Sequence, residues 1–234
     1  MQLFCFSFAG GTSSFFDKLE AFLEDKISLV KLEYAGHGRR HHEPFYHDFS
    51  ELADDMIKLI LSEYHENEPY AFFGYSMGSI ACIESLKIII TKKIMPMPRC
   101  IFLAAHPPCV KSELTGYSDS ELDDYVKRRI IAFGGVPDSL QNNSVFWRCY
   151  LPIYKADFSL IANYNFSKID LNLKIPAVIF YSEEDTPYKE MCLWKSFFSG
   201  NINYYCYVGN HFFLLEHCSE IAKNIQNCLN NITE

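Results

Sequence analysis

Short apolar runs rich in β-branched and aromatic residues recur along the chain, and the stretches between them place apolar residues at helical spacing. The runs at residues 3–8, 28–32, 70–73, 100–105, 177–181 and 203–208 predict six strands, each ending in a turn or loop. Strands that alternate with helices indicate a largely parallel central sheet covered by helices, an α/β architecture.

The stretch 107–173, between the fourth and fifth runs, reads as helical and holds no obvious strand. Ser118-Asp119-Ser120-Glu121 is a capping box that should open a helix ending at Gly134-Gly135. Farther on, Phe146, Tyr150, Tyr154 and Phe158 recur every four residues on one helical face, and Pro152 is expected to kink or split that helix. The pattern therefore predicts one domain, 1–234, with a helical lid inserted at about 107–173.

Composition narrows the functional classes. A chain of 234 residues suits one sizeable core, and 49% hydrophobic with 21% charged residues is ordinary for a folded globular protein. The net charge of −8 opposes general binding to nucleic acid, which needs a basic surface. Nine scattered cysteines, odd in number and without a CxxC pair, are expected as mostly buried free thiols in a reducing compartment. The N-terminal run lacks the features of a signal peptide, and no apolar stretch approaches the roughly 20 residues of a membrane helix. A cytoplasmic monomer is the expectation.

The sharpest chemical signal is Gly74-Tyr75-Ser76-Met77-Gly78, a GxSxG motif between the run at 70–73 and a helical pattern at 79–90. In that strand–turn–helix setting the serine occupies a strained turn, the glycines let backbone approach closely, and the hydroxyl projects above the sheet. A serine hydroxyl is a weak nucleophile near neutrality, so it needs a base in reach and an acid to orient the base.

His211 follows the sixth run and the turn Gly209-Asn210, where this fold presents its base; His217, inside the following helix, is the competitor. Asp185 follows the fifth run, with Glu183 and Glu184 beside it as alternatives. The order Ser76, Asp185, His211 is that of the α/β-hydrolase fold. Backbone N–H groups of Met77 and of Ala9, in the loop before Gly10-Gly11, are the candidate oxyanion donors. The aromatic stripe around Tyr154 either packs a core or lines an acyl channel. His37, His41, His42 and His47 match no tetrahedral metal spacing and are expected as exposed loop side chains, so no metal is assigned.

With these residues in place, the chain resembles the type II thioesterases that accompany nonribosomal peptide and polyketide synthases, and more distantly the thioesterase of fatty-acid synthesis. The likeness covers almost the whole length. It rests on Phe4-Cys5-Phe6 leading to Ala9-Gly10-Gly11, on Tyr34-Ala35-Gly36-His37-Gly38-Arg39-Arg40 with Glu43, on the elbow at 74–78, on Ala156-Asp157-Phe158, and on Gly209-Asn210-His211-Phe212-Phe213. It departs where the family usually has proline and arginine, here Ala35 and His37, and where a histidine or similar residue is common, here Ser7 or Phe8.

The resemblance implies the same triad and the hydrolysis of acyl groups from the phosphopantetheine arm of acyl or peptidyl carrier proteins, in an editing role. The arm arrives with the substrate, so no cofactor of the protein's own is expected. Carrier proteins are commonly acidic, and Lys127-Arg128-Arg129 and Arg39-Arg40 are the basic runs that can meet one. The competing readings are a carboxylesterase or acyltransferase with the same triad, and a non-catalytic carrier-binding module.

Overall fold

The computed structural model describes residues 1–108, 119–166 and 171–232. Six strands form one sheet: β1 (Gln2–Phe6), β2 (Ser28–Lys31), β3 (Tyr70–Tyr75), β4 (Ile101–Ala104), β5 (Ala177–Tyr181) and β6 (Ile202–Cys206). Their order is β2-β1-β3-β4-β5-β6, and every neighbouring pair is parallel. All six lie on the predicted runs. The ends differ: Phe8, Leu32 and Val208 have left the sheet, whereas β3 continues through Gly74 and Tyr75 to the residue before Ser76.

Parallel strands need crossover connections, and here nine helices accompany the sheet among the described residues: α1 (Asp17–Glu20), α2 (Phe49–Glu63), α3 (Met77–Lys92), α4 (Asp119–Ala132), α5 (Asp138–Gln141), α6 (Ser144–Asn163), α7 (Tyr188–Met191), α8 (Phe213–Glu216) and α9 (Cys218–Ile232). Alternate residues of the central strands enter two different cores. Phe4, Phe6, Phe72, Ile101, Leu103 and Ile179 pack with α2 and α3, while Leu3, Cys5, Phe73, Phe102, Val178 and Phe180 pack with the apolar side of α9. Covering both faces explains why these strands are apolar at consecutive positions.

A third, smaller core lies in the segment expected as a lid. Val126, Ile130, Val136, Trp147, Leu151 and Tyr154 pack α4 against α6. The capping box lies partly outside the described residues; α4 ends at Ala132, with Phe133 alone between it and the glycine pair expected to stop it. Pro152 does not split α6, which runs unbroken from Ser144 to Asn163. Pro152 and Arg148 both face solvent, so the carbonyl deprived of its partner can turn to water. No helix among the described residues is long and apolar enough to cross a membrane. The eight described cysteines are free, but only Cys5, Cys82, Cys100 and Cys218 are buried, fewer than expected.

Candidate active site

The strand–turn–helix at 74–78 reverses the chain at one residue. Ser76 has φ 52° and ψ −117°, a conformation that costs an L-residue of the order of 1–3 kcal/mol, and the surroundings hold it there. Its N–H donates to the Ala104 carbonyl of β4 (2.8 Å), and the Ser79 hydroxyl donates to the Gly74 carbonyl (3.1 Å). The two glycines have separate reasons. A Cβ on Gly74 would collide with the Gly78 carbonyl, and one on Gly78 would collide with the Phe6 carbonyl of β1. The bend thus requires main chain to pack directly on main chain.

The structure brings Ser76, His211 and Asp185 into one hydrogen-bonded line. The Ser76 hydroxyl donates to Nε2 of His211 (2.9 Å), and Nδ1–H of His211 donates to Oδ2 of Asp185 (2.8 Å). The loops after β5 and β6 are tied together, because the Ser182 hydroxyl donates to the Gly209 carbonyl (2.6 Å). The Tyr75 hydroxyl reaches from the elbow to the His211 carbonyl (2.8 Å).

The alternatives fall elsewhere. Glu183 accepts from the Tyr188 N–H, and Glu184 is exposed. His217 is not inside a helix as expected; it sits at the joint between α8 and α9, its ring bonded to the Val208 carbonyl.

The Ala9-Gly10-Gly11 loop borders the same site. Gly11 N–H donates to the Phe8 carbonyl and Gly10 N–H to Oδ2 of Asp157 (2.6 Å), while the N–H groups of Ala9 and Met77 have no partner among the described residues. Gly10 has φ 77°, and a Cβ there would strike the Tyr154 ring of α6. Ser13 adds a second anchor, since its N–H and its hydroxyl both donate to the buried Glu33 carboxylate (2.9 Å each).

His37 corrects the expectation of an exposed histidine run. It is 1% exposed, with Nε2 2.9 Å from Oδ2 of Asp157 and Nδ1 2.9 Å from the Ala35 carbonyl. Both ring nitrogens face acceptors, so the ring carries two protons and forms a buried ion pair with Asp157. Burial opposes that charge, but the Asp157 carboxylate outweighs it and the His37 pKa is raised. His41, His42 and His47 are exposed as expected. Asp157 was the residue whose role the pattern concealed. Its signal was a carboxylate three positions after Tyr154 on the apolar side of α6.

A cavity of about 540 Å³ opens over Ser76, Asp185 and His211. Its walls are mostly apolar and include Phe8, Ile130, Phe133, Tyr154, Phe158 and Ile161. The aromatic stripe therefore divides: Tyr154 and Phe158 line the cavity, whereas Phe146 and Tyr150 stack on each other (4.8 Å between centroids) with Tyr150 facing solvent. His106 also lines the wall, and burial pushes its pKa down to about 4, keeping it neutral.

A family model described as a thioesterase domain matches residues 1–229. The chain is 30% identical to the medium-chain S-acyl fatty acid synthase thioesterase of Rattus norvegicus, over 97% of this chain and 88% of that one. The counterpart from Homo sapiens is also 30% identical, over 97% and 87%. Among solved structures, ClbQ from the colibactin NRPS/PKS pathway superimposes with a TM-score of 0.85 at 23% identity, covering 99% of this chain and 98% of that one.

The His37–Asp157 pair yields a stability prediction. A histidine whose folded-state pKa is raised stabilises the fold fully below its unfolded value, near 6.5, and the contribution is lost as pH rises through the folded value. His37→Gln should lower stability at about pH 6 by roughly 3 kcal/mol, the cost of breaking a buried pair. Denaturant unfolding of both proteins across pH should show this gap narrowing toward alkaline pH; a gap that stays constant contradicts a charged His37.

Proposed function

Because the chain belongs to the thioesterase family, we propose that it is a serine hydrolase that frees acyl groups held as thioesters on the phosphopantetheine arm of carrier proteins, in an editing role beside a nonribosomal peptide or polyketide synthase. The observation that carries this reading is the unbroken relay from Ser76 through His211 to Asp185 at the floor of an apolar cavity.

Ser76 Oγ attacks the thioester carbonyl as His211 Nε2 accepts its proton, and Asp185 steadies the imidazolium. The N–H groups of Met77 and Ala9 take the negative charge that develops on the carbonyl oxygen, each worth about 2.7–4 kcal/mol. The C–S bond breaks and the thiol departs with the proton from His211. A thiol with a pKa near 8.5 needs less protonation to leave than an alcohol or amine. Water, activated by the same histidine, then cleaves the Ser76 ester, releasing the acid and restoring the hydroxyl. No metal or resident cofactor takes part, and the enzyme acts as a cytoplasmic monomer.

The basic runs differ in what they offer an acidic carrier. Arg40 is already engaged by Glu43 and Asp55, and Arg129 lies over the Phe133 ring at the cavity wall. Arg128 and Arg39 are exposed, so they are the groups that meet the carrier. A second reading, release of finished medium-chain fatty acids, is favoured by the 30% identity to the rat and human enzymes. Carrier proteins loaded with acetyl, aminoacyl and medium-chain groups separate the two: an editing enzyme clears the short groups, and a chain-releasing enzyme prefers the medium ones.

Three outcomes are expected. Ser76→Ala should abolish hydrolysis of an acyl-carrier thioester, and Asp185→Asn should lower kcat by about 10⁴-fold, as expected when the base loses its orienting acid. Equal rates for wild type and Ser76→Ala contradict the mechanism, and cleavage of oxygen esters alone favours an esterase. Arg128→Glu should raise KM for the carrier-bound substrate roughly threefold to tenfold while sparing a small soluble thioester. Equal effects on both substrates contradict docking through Arg128.

A further inference from the structure

The end of α4 meets the His211 loop residue by residue. Phe133 stacks its ring on the His211 imidazole, with centroids 4.5 Å apart and planes inclined by 25°. Gly134, at φ 81°, lies so close to Asn210 that an added Cβ would come within 2.5 Å of its side-chain nitrogen. Gly135 packs on Phe212, where a Cβ would lie 3.1 Å from the ring. Three consecutive residues of the helical cover thus rest on three consecutive residues of the histidine loop. One turn back in α4, Arg129 sets its guanidinium carbon 4.8 Å from the centre of the Phe133 ring, which steadies the ring.

We propose that Phe133 is a positioning residue that holds the His211 imidazole toward Ser76, so that the helical cover over the acyl cavity also completes the base. The hydrogen bonds of His211 fix its two ring nitrogens, at Ser76 and Asp185, but two fixed points leave the ring able to tilt about the line joining the partners. A flat ring against one face removes that freedom. The ring is also suited to the moment of reaction, because its negative face attracts the imidazolium that forms when Ser76 gives up its proton. An aliphatic side chain of similar bulk would fill the space without either property. If the cover moved away from the floor, Phe133 would leave with it, and the base would be poorly held until the cover returned over a bound acyl group.

The proposal rests on the reading of Ser76, Asp185 and His211 as a triad, and not on the identity of the carrier. Its test therefore uses acetyl and decanoyl thioesters of N-acetylcysteamine, together with a small fluorophosphonate that reacts with an activated serine. Phe133→Leu should lower kcat for both thioesters by the same factor, roughly 10- to 100-fold for a misplaced base. KM should stay within about twofold, because the cavity keeps its bulk. Fluorophosphonate inactivation should slow by that factor too, and Phe133→Tyr should restore wild-type rates.

Gly134→Ala, which strains the backbone at φ 81° and crowds the Asn210 side chain, should reproduce the loss in kcat while leaving Phe133 in the sequence. An effect confined to KM for the decanoyl substrate would overturn the proposal and make Phe133 only a wall of the acyl cavity. Unchanged rates in Phe133→Leu would overturn it as well. A wild-type protein inert toward the fluorophosphonate would instead defeat the reading of the triad itself.

Discussion

The backbone reversal at Ser76 is the constraint on which the site depends. A left-handed, strained residue persists only where its neighbours over-determine it, and here they do so with close main-chain packing and with the Ser79 hydroxyl on the Gly74 carbonyl. Gly74 and Gly78 exist as glycines because the carbonyls of Gly78 and Phe6 occupy the places where their Cβ atoms would be. The buried sheet supplies the rigidity: β1 and β4 flank β3, so the bend cannot relax without breaking parallel pairing on both sides. Its product is a hydroxyl presented at the end of the sheet, at the start of α3.

Around that point three loops are held by different means. The loops after β5 and β6 carry Asp185 and His211 and are joined through Ser182 and Gly209. The loop after β1 is held from above by α6, whose Asp157 accepts the Gly10 N–H while its Tyr154 lies against Gly10. His37 supplies the opposite charge that makes a buried carboxylate tolerable there. The helical cover consequently touches the site twice, at Gly10 through α6 and at His211 through the end of α4. The same two helices thus wall the cavity and contact the loops that carry Gly10 and His211.

Much of this was legible in the sequence. Parallel strands buried on both faces leave strong apolar runs, and the GxSxG turn carries its own strand and helix as context, so the six strands and Ser76 could be located directly. Chain order and loop position then pointed to Asp185 and His211, and both side chains lie within 3 Å of their partners. The His37–Asp157 pair was hidden for a physical reason: its members are 120 residues apart, and a histidine among other histidines on a polar loop looks solvated until the tertiary fold buries it. Phe133 carried no signal in the sequence, because stacking on a distant ring leaves no periodic trace. The split offered for Pro152 does not occur, since a proline on the solvent side of a long helix need not break it.

Rapid quenching of the enzyme with an acyl-carrier thioester, followed by mass measurement of the peptide that contains Ser76, tests the central claim most directly. The account predicts an acyl ester on that serine which forms before the free acid and decays as the acid accumulates. Acid released with no acyl group ever found on Ser76, or with the group found on another side chain, would contradict it.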